Sequence, residues 1–287
     1  MRRKGTIIRI ISNQYQLYAD GEIYDAIAMG KLRKGQSPIV GDIIDFEEFE
    51  DKYGIQKIYP RKNELVRPLI ANVDQAIIVM SAKDPDFSTV LIDRLIFLIS
   101  YAGITPLLCV TKMDLVPDKN DEIYQYIEDY KKSGYEVVTT GKDFDTKEIE
   151  NLFTGKISVL TGQSGAGKSS LLNRIDDQLQ IKTQEISKAL GRGKHTTRHT
   201  ELFYINGGWI ADTPGFSSLD FESLDVLTLA HSIEDFKPYT GLCKFNDCVH
   251  INEPKCAVIE AVERKEIVDY RYRHYLEVVK MIKETKK

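Results

Sequence analysis

The amino-acid sequence predicts a multi-domain α/β protein with an N-terminal β-barrel, a central doubly wound sheet and a C-terminal helical region that binds a metal. Three observations lead to this prediction. Short strand-like segments fill the chain up to residue 66, long apolar segments alternate with amphipathic helices up to residue 224, and cysteines crowd into the remainder. The predicted domains are therefore residues 1–66, 67–224 and 225–287.

The composition limits the class of protein. Of the 287 residues, 42% are hydrophobic and 29% are charged, which suits packed cores and excludes overall disorder. The net charge of −4 gives no general attraction to nucleic acid, so any such contact needs a local basic patch. No apolar segment suits a signal peptide or a membrane span, and four cysteines are too few for a disulfide scaffold. We expect a cytoplasmic monomer without a membrane partner.

The first region contains five β-rich segments divided by Gly, Asn and Asp turn residues. They lie at 6–11, 14–18, 23–28, 43–49 and 55–59. Five short strands favour a barrel like the oligonucleotide-binding (OB) fold. A β-sandwich fragment packed on the rest of the chain is the alternative.

The second region has the pattern of a doubly wound α/β domain. Apolar segments at 75–80 and 105–110 predict buried parallel strands, with a helix at 90–101 between them. A helix with its apolar residues at i, i+3, i+4 and i+7 follows at 123–130, and a further strand is predicted at 157–160.

A phosphate-binding loop follows that last strand. Residues 162–169, GQSGAGKS, fit the pattern G-x-x-x-x-G-K-[ST] between a predicted strand and a predicted helix. In such a loop, backbone N–H groups converge on phosphates at a helix N-terminus. Lys168 should reach the β- and γ-phosphates, and Ser169 should bind Mg²⁺. The residues assigned to the nucleotide here are Gly162, Gln163, Ser164, Gly165, Ala166, Gly167, Lys168, Ser169 and Ser170.

Two later segments predict a γ-phosphate sensor. Asp212-Thr213-Pro214-Gly215 follows a predicted strand, which places Asp212 near Mg²⁺ and the Gly215 N–H near the γ-phosphate. The polar segment 191–199 offers Thr197, which we choose over Thr196, as a further Mg²⁺ ligand. A basic surface loop is the alternative for this segment.

The attacking water needs a side chain to orient it. The residue after the Asp-Thr-Pro-Gly element is Phe216, and an apolar side chain cannot polarise water. We predict that His195 takes this role. A group supplied by a partner is the rival, and His195 would then be a surface residue.

The segment Thr111-Lys112-Met113-Asp114 matches the [NT]-K-x-D element of guanine-nucleotide proteins. The Asp114 carboxylate could accept hydrogen bonds from guanine N1–H and N2–H₂, which adenine cannot supply. Lys112 would lie along the base through its aliphatic stem, and Thr111 completes the predicted site. A P-loop kinase or ATPase is the alternative that Asp114 disfavours. Thr140-Gly141-Lys142 loosely matches the usual base-contacting Ser-Ala-Lys element.

The C-terminal region contains a predicted metal site. Cys243, Cys248, His250 and Cys256 offer three thiolates and an imidazole within 14 residues. Such a closed S₃N set is typical of structural zinc, and three unligated thiols are the alternative. The fourth cysteine, Cys109, is predicted to be buried in a strand.

Basic and aromatic residues at the two ends of the chain suggest contact with RNA. A predicted helix at 257–286 contains Tyr270-Arg271-Tyr272-Arg273-His274-Tyr275, a pattern that suits base stacking and phosphate binding. Buried tyrosines and solvated lysines are the alternative. The remaining basic residues of these ends are Arg2, Arg3, Lys4, Arg9, Lys280, Lys283, Lys286 and Lys287.

The order of the nucleotide motifs, 111–114, 162–169, 196–198 and 212–215, resembles that of circularly permuted GTPases. With its flanking regions, the chain resembles the RsgA family of ribosome-small-subunit-dependent GTPases. The resemblance implies a Mg²⁺-dependent hydrolase that converts GTP to GDP and phosphate and contains one zinc ion. It also implies binding to the 30S subunit and its 16S rRNA, action in late subunit maturation, and stimulation by the subunit. A GTP-regulated RNA-binding or scaffolding module with incidental hydrolysis is the alternative.

Overall fold

The computed structural model describes residues 2–29, 37–49, 52–66, 68–176, 200–211, 216 and 219–285. A closed five-stranded barrel occupies the N-terminal part. Its strands are β1 Arg3–Ile11, β2 Gln14–Ala19, β3 Glu22–Ala28, β4 Ile43–Phe49 and β5 Lys52–Ile58.

The barrel has the strand order β1-β2-β3-β5-β4, and β4 closes it by pairing with β1. Neighbouring strands are antiparallel except β3 and β5, which run parallel. Alternate residues fill its interior, as in β4, where Ile44 and Phe46 are fully buried. The predicted OB-like barrel is therefore confirmed, and the sandwich fragment is excluded.

A six-stranded sheet has the order β10-β9-β8-β11-β13-β12. Its strands are β8 Gln75–Ser81, β9 Thr105–Thr111, β10 Glu136–Thr139, β11 Ile157–Gly162, β12 Leu202–Ile205 and β13 Gly208–Ala211. β10 is parallel to β9 and β11 to β13, whereas β12 is an antiparallel edge strand. Every residue of β8 is buried, as expected for a strand in the middle of such a sheet.

The described residues of this α/β region form four helices, and a short ribbon precedes it. The helices are α1 Thr89–Tyr101, α2 Glu122–Lys132, α3 Lys147–Phe153 and α4 Lys168–Ile175, and the ribbon pairs β6 Glu64–Val66 with β7 Leu69–Ala71. Side-chain caps begin two of the helices: Ser88 accepts from the Leu91 N–H in α1, and Asp121 accepts from the Ile123 N–H in α2.

The C-terminal region contains three more helices in its described residues. They are α5 Val226–Ser232, α6 Ala257–Glu263 and α7 Asp269–Thr285, with a 3₁₀ helix at Glu234–Tyr239. The single helix predicted at 257–286 is wrong, because a turn separates α6 from α7. Lys265 has a left-handed φ of 60° there, and Ile267 turns into the core with 4% exposure.

The chain forms two compact units, each containing discontinuous segments. The first comprises the described parts of Met1–Gln75, Lys147–Leu160 and Ser169–Gly215. Within it, the barrel contacts the β12–β13 hairpin: Tyr18 lies edge-on to Trp209 at 4.9 Å between ring centroids, and Arg9 pairs with Glu201 at 3.3 Å. Tyr204 completes the aromatic cluster, 5.2 Å from Trp209.

The second unit comprises the described parts of Ala76–Thr146, Thr161–Lys168 and Phe216–Lys287. Inside it, the α7 residue Arg271 is 2% exposed and pairs with Asp93 of α1 and with Asp235. His274 also contacts Asp93, and Tyr275 is fully buried. The predicted RNA-facing role of the 270–275 segment is therefore wrong for Arg271 and Tyr275, because these side chains lie in the core.

Within the described ranges, no helix combines the length and the apolar composition needed to cross a membrane.

Candidate functional site

The phosphate-binding loop joins β11 to α4 and packs against the end of β8. Gly162 has φ +119°, and a Cβ at this position would lie 2.1 Å from the Val79 carbonyl oxygen. Only glycine fits so close to the neighbouring backbone. The Gln163 N–H donates to the same carbonyl at 3.3 Å, so the loop begins in a fixed position.

Lys168 folds back over this loop. Its Nζ donates to the carbonyl oxygens of Gly162 at 3.0 Å and Gln163 at 2.6 Å, and the residue is 7% exposed. Burial lowers the pKa of Lys168 to about 8. The ammonium group therefore lies beside the glycine-rich turn, whose Ser164 and Gly165 are exposed. This arrangement suits a phosphate chain.

The segment 82–88, which the sequence analysis missed, flanks the loop. The Asp86 carbonyl accepts from Gln163 Nε2 at 3.0 Å, and the Asp84 carbonyl accepts from Lys112 Nζ. This segment contacts Gln163 and Lys112 through backbone carbonyl groups. Such contacts require no particular residue types, so no sequence motif marks them. The signal available in the sequence was only its position, directly after the buried strand β8.

Thr111 links the two halves of the predicted nucleotide site. Its hydroxyl donates to the carbonyl oxygen of Ala166 at 2.6 Å, and the residue is 5% exposed. This bond joins the end of β9 to the phosphate-binding loop across 55 residues of chain. The structure therefore brings the TKMD segment and the GQSGAGKS segment into one site, with Thr111 holding the loop.

Asp114 lies in a 3₁₀ helix, Met113–Leu115, at the mouth of this site. Its carboxylate accepts from the Lys142 backbone N–H at 2.9 Å. A Cβ on Gly141 would lie only 2.6 Å from Asp114 Oδ1, so the 140–142 segment approaches this carboxylate as closely as backbone allows. Thr140 Oγ1 is buried and has no hydrogen-bond partner among the described residues.

Four other predicted site residues are not among those the structure describes. They are His195, Thr197, Asp212 and Gly215, and their roles stay predictions. Phe216 has a left-handed φ of 56°, an unusual conformation for a bulky side chain.

The four predicted metal ligands converge in the C-terminal region. The ligand atoms of Cys243, Cys248, His250 and Cys256 all lie within 4.8 Å of one another. His250 Nδ1 is 3.4 Å from Cys256 Sγ, and two of the sulfurs are 3.9 Å apart. A tetrahedral zinc ion with bonds of about 2.3 Å to sulfur requires sulfurs roughly 3.8 Å apart, so the set fits zinc.

The protonation of His250 agrees with a role as a metal ligand. Burial lowers the pKa of His250 to about 4, so its ring is neutral at pH 7 and can donate an electron pair. Burial also raises the pKa of Cys248 to about 12, so a bound cation would have to displace a proton from this thiol.

The chain matches known proteins over nearly its whole length. The family model for the RsgA GTPase matches residues 58–222, and that for the RsgA N-terminal domain matches residues 4–55. "Small ribosomal subunit biogenesis GTPase RsgA 2" of Listeria innocua is 45% identical over 287 residues, covering 99% of this chain and 98% of the relative. "Small ribosomal subunit biogenesis GTPase RsgA" of Bacillus subtilis is 46% identical over 293 residues, with the same coverage.

A solved structure agrees with these matches. The crystal structure of YloQ, described as a circularly permuted GTPase, matches with a TM-score of 0.86 and 39% identity. The match covers 100% of this chain and 97% of that one. Sequence and fold together establish that this chain belongs to the RsgA family of circularly permuted GTPases.

Proposed function

We propose that this chain hydrolyses GTP to GDP and phosphate while it binds the 30S ribosomal subunit, and that it acts in late maturation of that subunit. The relatives' names, small ribosomal subunit biogenesis GTPases, support the partner. The observation that carries the nucleotide site is the 2.6 Å bond from the Thr111 hydroxyl to Ala166, which joins the base-binding and phosphate-binding segments.

In this site, the loop residues 162–170 hold the phosphates, and Lys168 neutralises part of their charge. Asp114 and Lys112 hold the guanine base, and the 140–142 segment closes against the same carboxylate. Ser169 and Thr197 would hold Mg²⁺, with Asp212 as a further candidate, and the bound ion would supply positive charge to the phosphates. Adenine offers no matching N–H groups to the Asp114 carboxylate, so ATP binds less tightly than GTP.

His195 holds the attacking water, because Phe216 occupies the position where a polar side chain would otherwise orient it. Intrinsic turnover is slow, and the 30S subunit accelerates it. A subunit group that takes over this task is the rival source of the acceleration.

The barrel and the C-terminal region, which flank the GTPase domain, bind the 30S subunit. Cys243, Cys248, His250 and Cys256 would hold zinc, and the bound ion would stabilise the C-terminal region, because a region of some sixty residues has little core of its own. The barrel and the C-terminal region contact 16S rRNA through local basic residues, since the chain as a whole has a net charge of −4. The chain functions as three domains, 1–66, 67–224 and 225–287. It acts as a monomer in the bacterial cytoplasm.

Phosphate release from GTP, measured with and without purified 30S subunits, tests this proposal. Strong stimulation is expected for the wild type, none for Lys168→Ala, and a reduced rate for His195→Ala. Normal stimulated hydrolysis by His195→Ala would reject its catalytic role. Tighter subunit binding with a non-hydrolysable GTP analogue than with GDP is also expected.

Two results would favour the rival functions. Nucleotide-dependent subunit binding without any stimulation of hydrolysis would favour a GTP-regulated RNA-binding or scaffolding module. Tighter binding of ATP than of GTP would favour an ATPase or a P-loop kinase.

A further inference from the structure

We propose that Glu253 is a positioning residue of the metal centre, whose carboxylate sets the backbone between Cys248 and Cys256 so that the ligands converge. This inference rests on the proposed zinc site. Glu253 lies inside the ligand loop, three residues after His250 and three before Cys256. The residue spacing indicates the four ligands only, because the contacts of Glu253 are to backbone.

The Glu253 carboxylate accepts hydrogen bonds from three backbone N–H groups. Oε1 accepts from the Val249 N–H at 3.1 Å, and Oε2 accepts from the N–H groups of Ile251 at 2.7 Å and Asn252 at 3.0 Å. Charge-assisted bonds of this type are stronger than bonds between neutral groups. Three backbone N–H groups within the four residues 249–252 are thereby held by one side chain.

The loop needs this support because its backbone is strained on both sides of Glu253. His250 has φ +57° and Lys255 has φ +58°, both left-handed. Such conformations persist where the surroundings over-determine them. At His250 the surroundings are the two N–H groups at 249 and 251, which flank the ligand and both bond to Glu253.

The carbonyl oxygens of the same loop are held from the opposite side by α7. Tyr272 Oη donates to the His250 carbonyl at 2.8 Å, and Tyr275 Oη donates to the Val249 carbonyl at 2.6 Å. Glu253 and the two tyrosines therefore fix the peptide groups around His250 without using any metal ligand atom. This is the outer-shell support that metal sites commonly need.

The negative charge of Glu253 offers a competing explanation for any effect of this residue on zinc binding. A carboxylate near a cation attracts the cation regardless of where the carboxylate oxygens point. Glu253 is not needed as a ligand, since four other side chains already complete a tetrahedral set. Geometry and charge make opposite predictions for Glu253→Asp, which keeps the charge but shortens the side chain. Both explanations predict weaker binding for Glu253→Gln.

The experiment uses the full-length chain, stripped of metal and titrated with Zn²⁺ against a chromophoric chelator. We expect both Glu253→Asp and Glu253→Gln to lose roughly 10- to 100-fold in Zn²⁺ affinity, the range typical of outer-shell partners. Glu263→Gln, which removes an exposed carboxylate from α6, is the charge-matched control and should bind like the wild type.

Two further measurements distinguish the outcomes. The absorption spectrum with Co²⁺ in place of zinc should change for Glu253→Asp, and amide exchange at 249, 251 and 252 should accelerate in the metal-free variant. Glu253→Asp binding Zn²⁺ within twofold of the wild type would overturn the positioning role. A wild type that binds no Zn²⁺ would instead overturn the metal site itself. If Glu253→Gln fails to fold, Glu253→Asp decides alone.

Discussion

The guanidinium of Arg271 donates two parallel hydrogen bonds to the carboxylate of Asp235, from Nε at 2.8 Å and from Nη2 at 2.7 Å. Its Nη1 donates to Asp93 in α1. All three side chains are at most 3% exposed. One arginine thus forms ion pairs with two buried carboxylates, Asp93 and Asp235, that lie far apart in the sequence.

Replacing Arg271 by Met should destabilise the protein severely. The change leaves Asp93 and Asp235 without their buried cation, and breaking such a pair costs about 3–5 kcal/mol. Urea unfolding measures the loss. Arg273→Met is the control, because the Arg273 side chain is 66% exposed and pairs with Asp269 on the surface. Equal losses for the two variants would contradict the structural role of the buried network.

Acid should weaken the same network. Burial raises the pKa of Asp235, but the Arg271 guanidinium outweighs burial and holds this pKa below its ordinary value of 3.8. The resulting stabilisation is therefore complete above pH 3.8 and disappears as the pH falls through the lower native pKa. Urea unfolding between pH 5 and 2.5 should show a steeper decline for the wild type than for Asp235→Asn. Parallel declines would count against this origin.

Removing the Thr111 hydroxyl should weaken nucleotide binding. Thr111→Val keeps the shape of the side chain but takes a donor away from the Ala166 carbonyl, which costs about 1–2 kcal/mol or roughly 5- to 30-fold in GDP affinity. Titration with a fluorescent GDP analogue measures the effect. Thr111→Ser retains the hydroxyl and should bind nearly as the wild type does. Unchanged affinity in Thr111→Val would show that the loop does not need this bond.

Adding one methyl group at Gly141 should impair guanine binding. The new Cβ would lie 2.6 Å from Asp114 Oδ1, so either the carboxylate or the 140–142 segment must move. A displacement of this size should lower GDP affinity roughly 10- to 100-fold. Lys142→Ala keeps the backbone N–H that bonds to Asp114 and is the matched control. If Gly141→Ala binds GDP normally, the close approach does not determine base recognition.

Nucleotide binding should take up protons above pH 8. The pKa of Lys168 is lowered to about 8, and contact with phosphates raises it again. GDP binding should therefore take up a larger fraction of a proton at pH 8.5 than at pH 7. Calorimetry in buffers of different ionisation enthalpy measures this uptake. Lys168→Arg stays charged and should take up none, and a wild type that behaves likewise would refute the shift.

The sequence predicted those parts of the molecule that local patterns encode. The barrel followed from alternating strand residues and turns, and the metal ligands followed from four side chains within 14 residues. The phosphate-binding loop was equally predictable, because the local backbone conformation requires its glycines. At Gly162, for example, a Cβ would lie 2.1 Å from the Val79 carbonyl oxygen.

Long-range polar contacts account for what the sequence did not predict. Arg271 stands in a segment of alternating aromatic and basic residues, and its pairing with Asp235 and with Asp93, 178 residues away, makes it a core residue. Glu253 looks like any other loop carboxylate until its three N–H donors are known. The break between α6 and α7 has a different origin, since the burial of the apolar Ile267 side chain outweighs helix propensity.

The aromatic contact between the barrel and the β12–β13 hairpin gives the protein an internal optical probe. Trp209 is the single tryptophan among the 287 residues, and its ring lies within 5.2 Å of both Tyr18 and Tyr204. Emission excited at the red edge therefore originates from one position, and energy transfer to it from Tyr18, which lies in the barrel strand β2, reports whether the barrel stays on the hairpin. Unlabelled protein is enough to follow this contact through a nucleotide cycle.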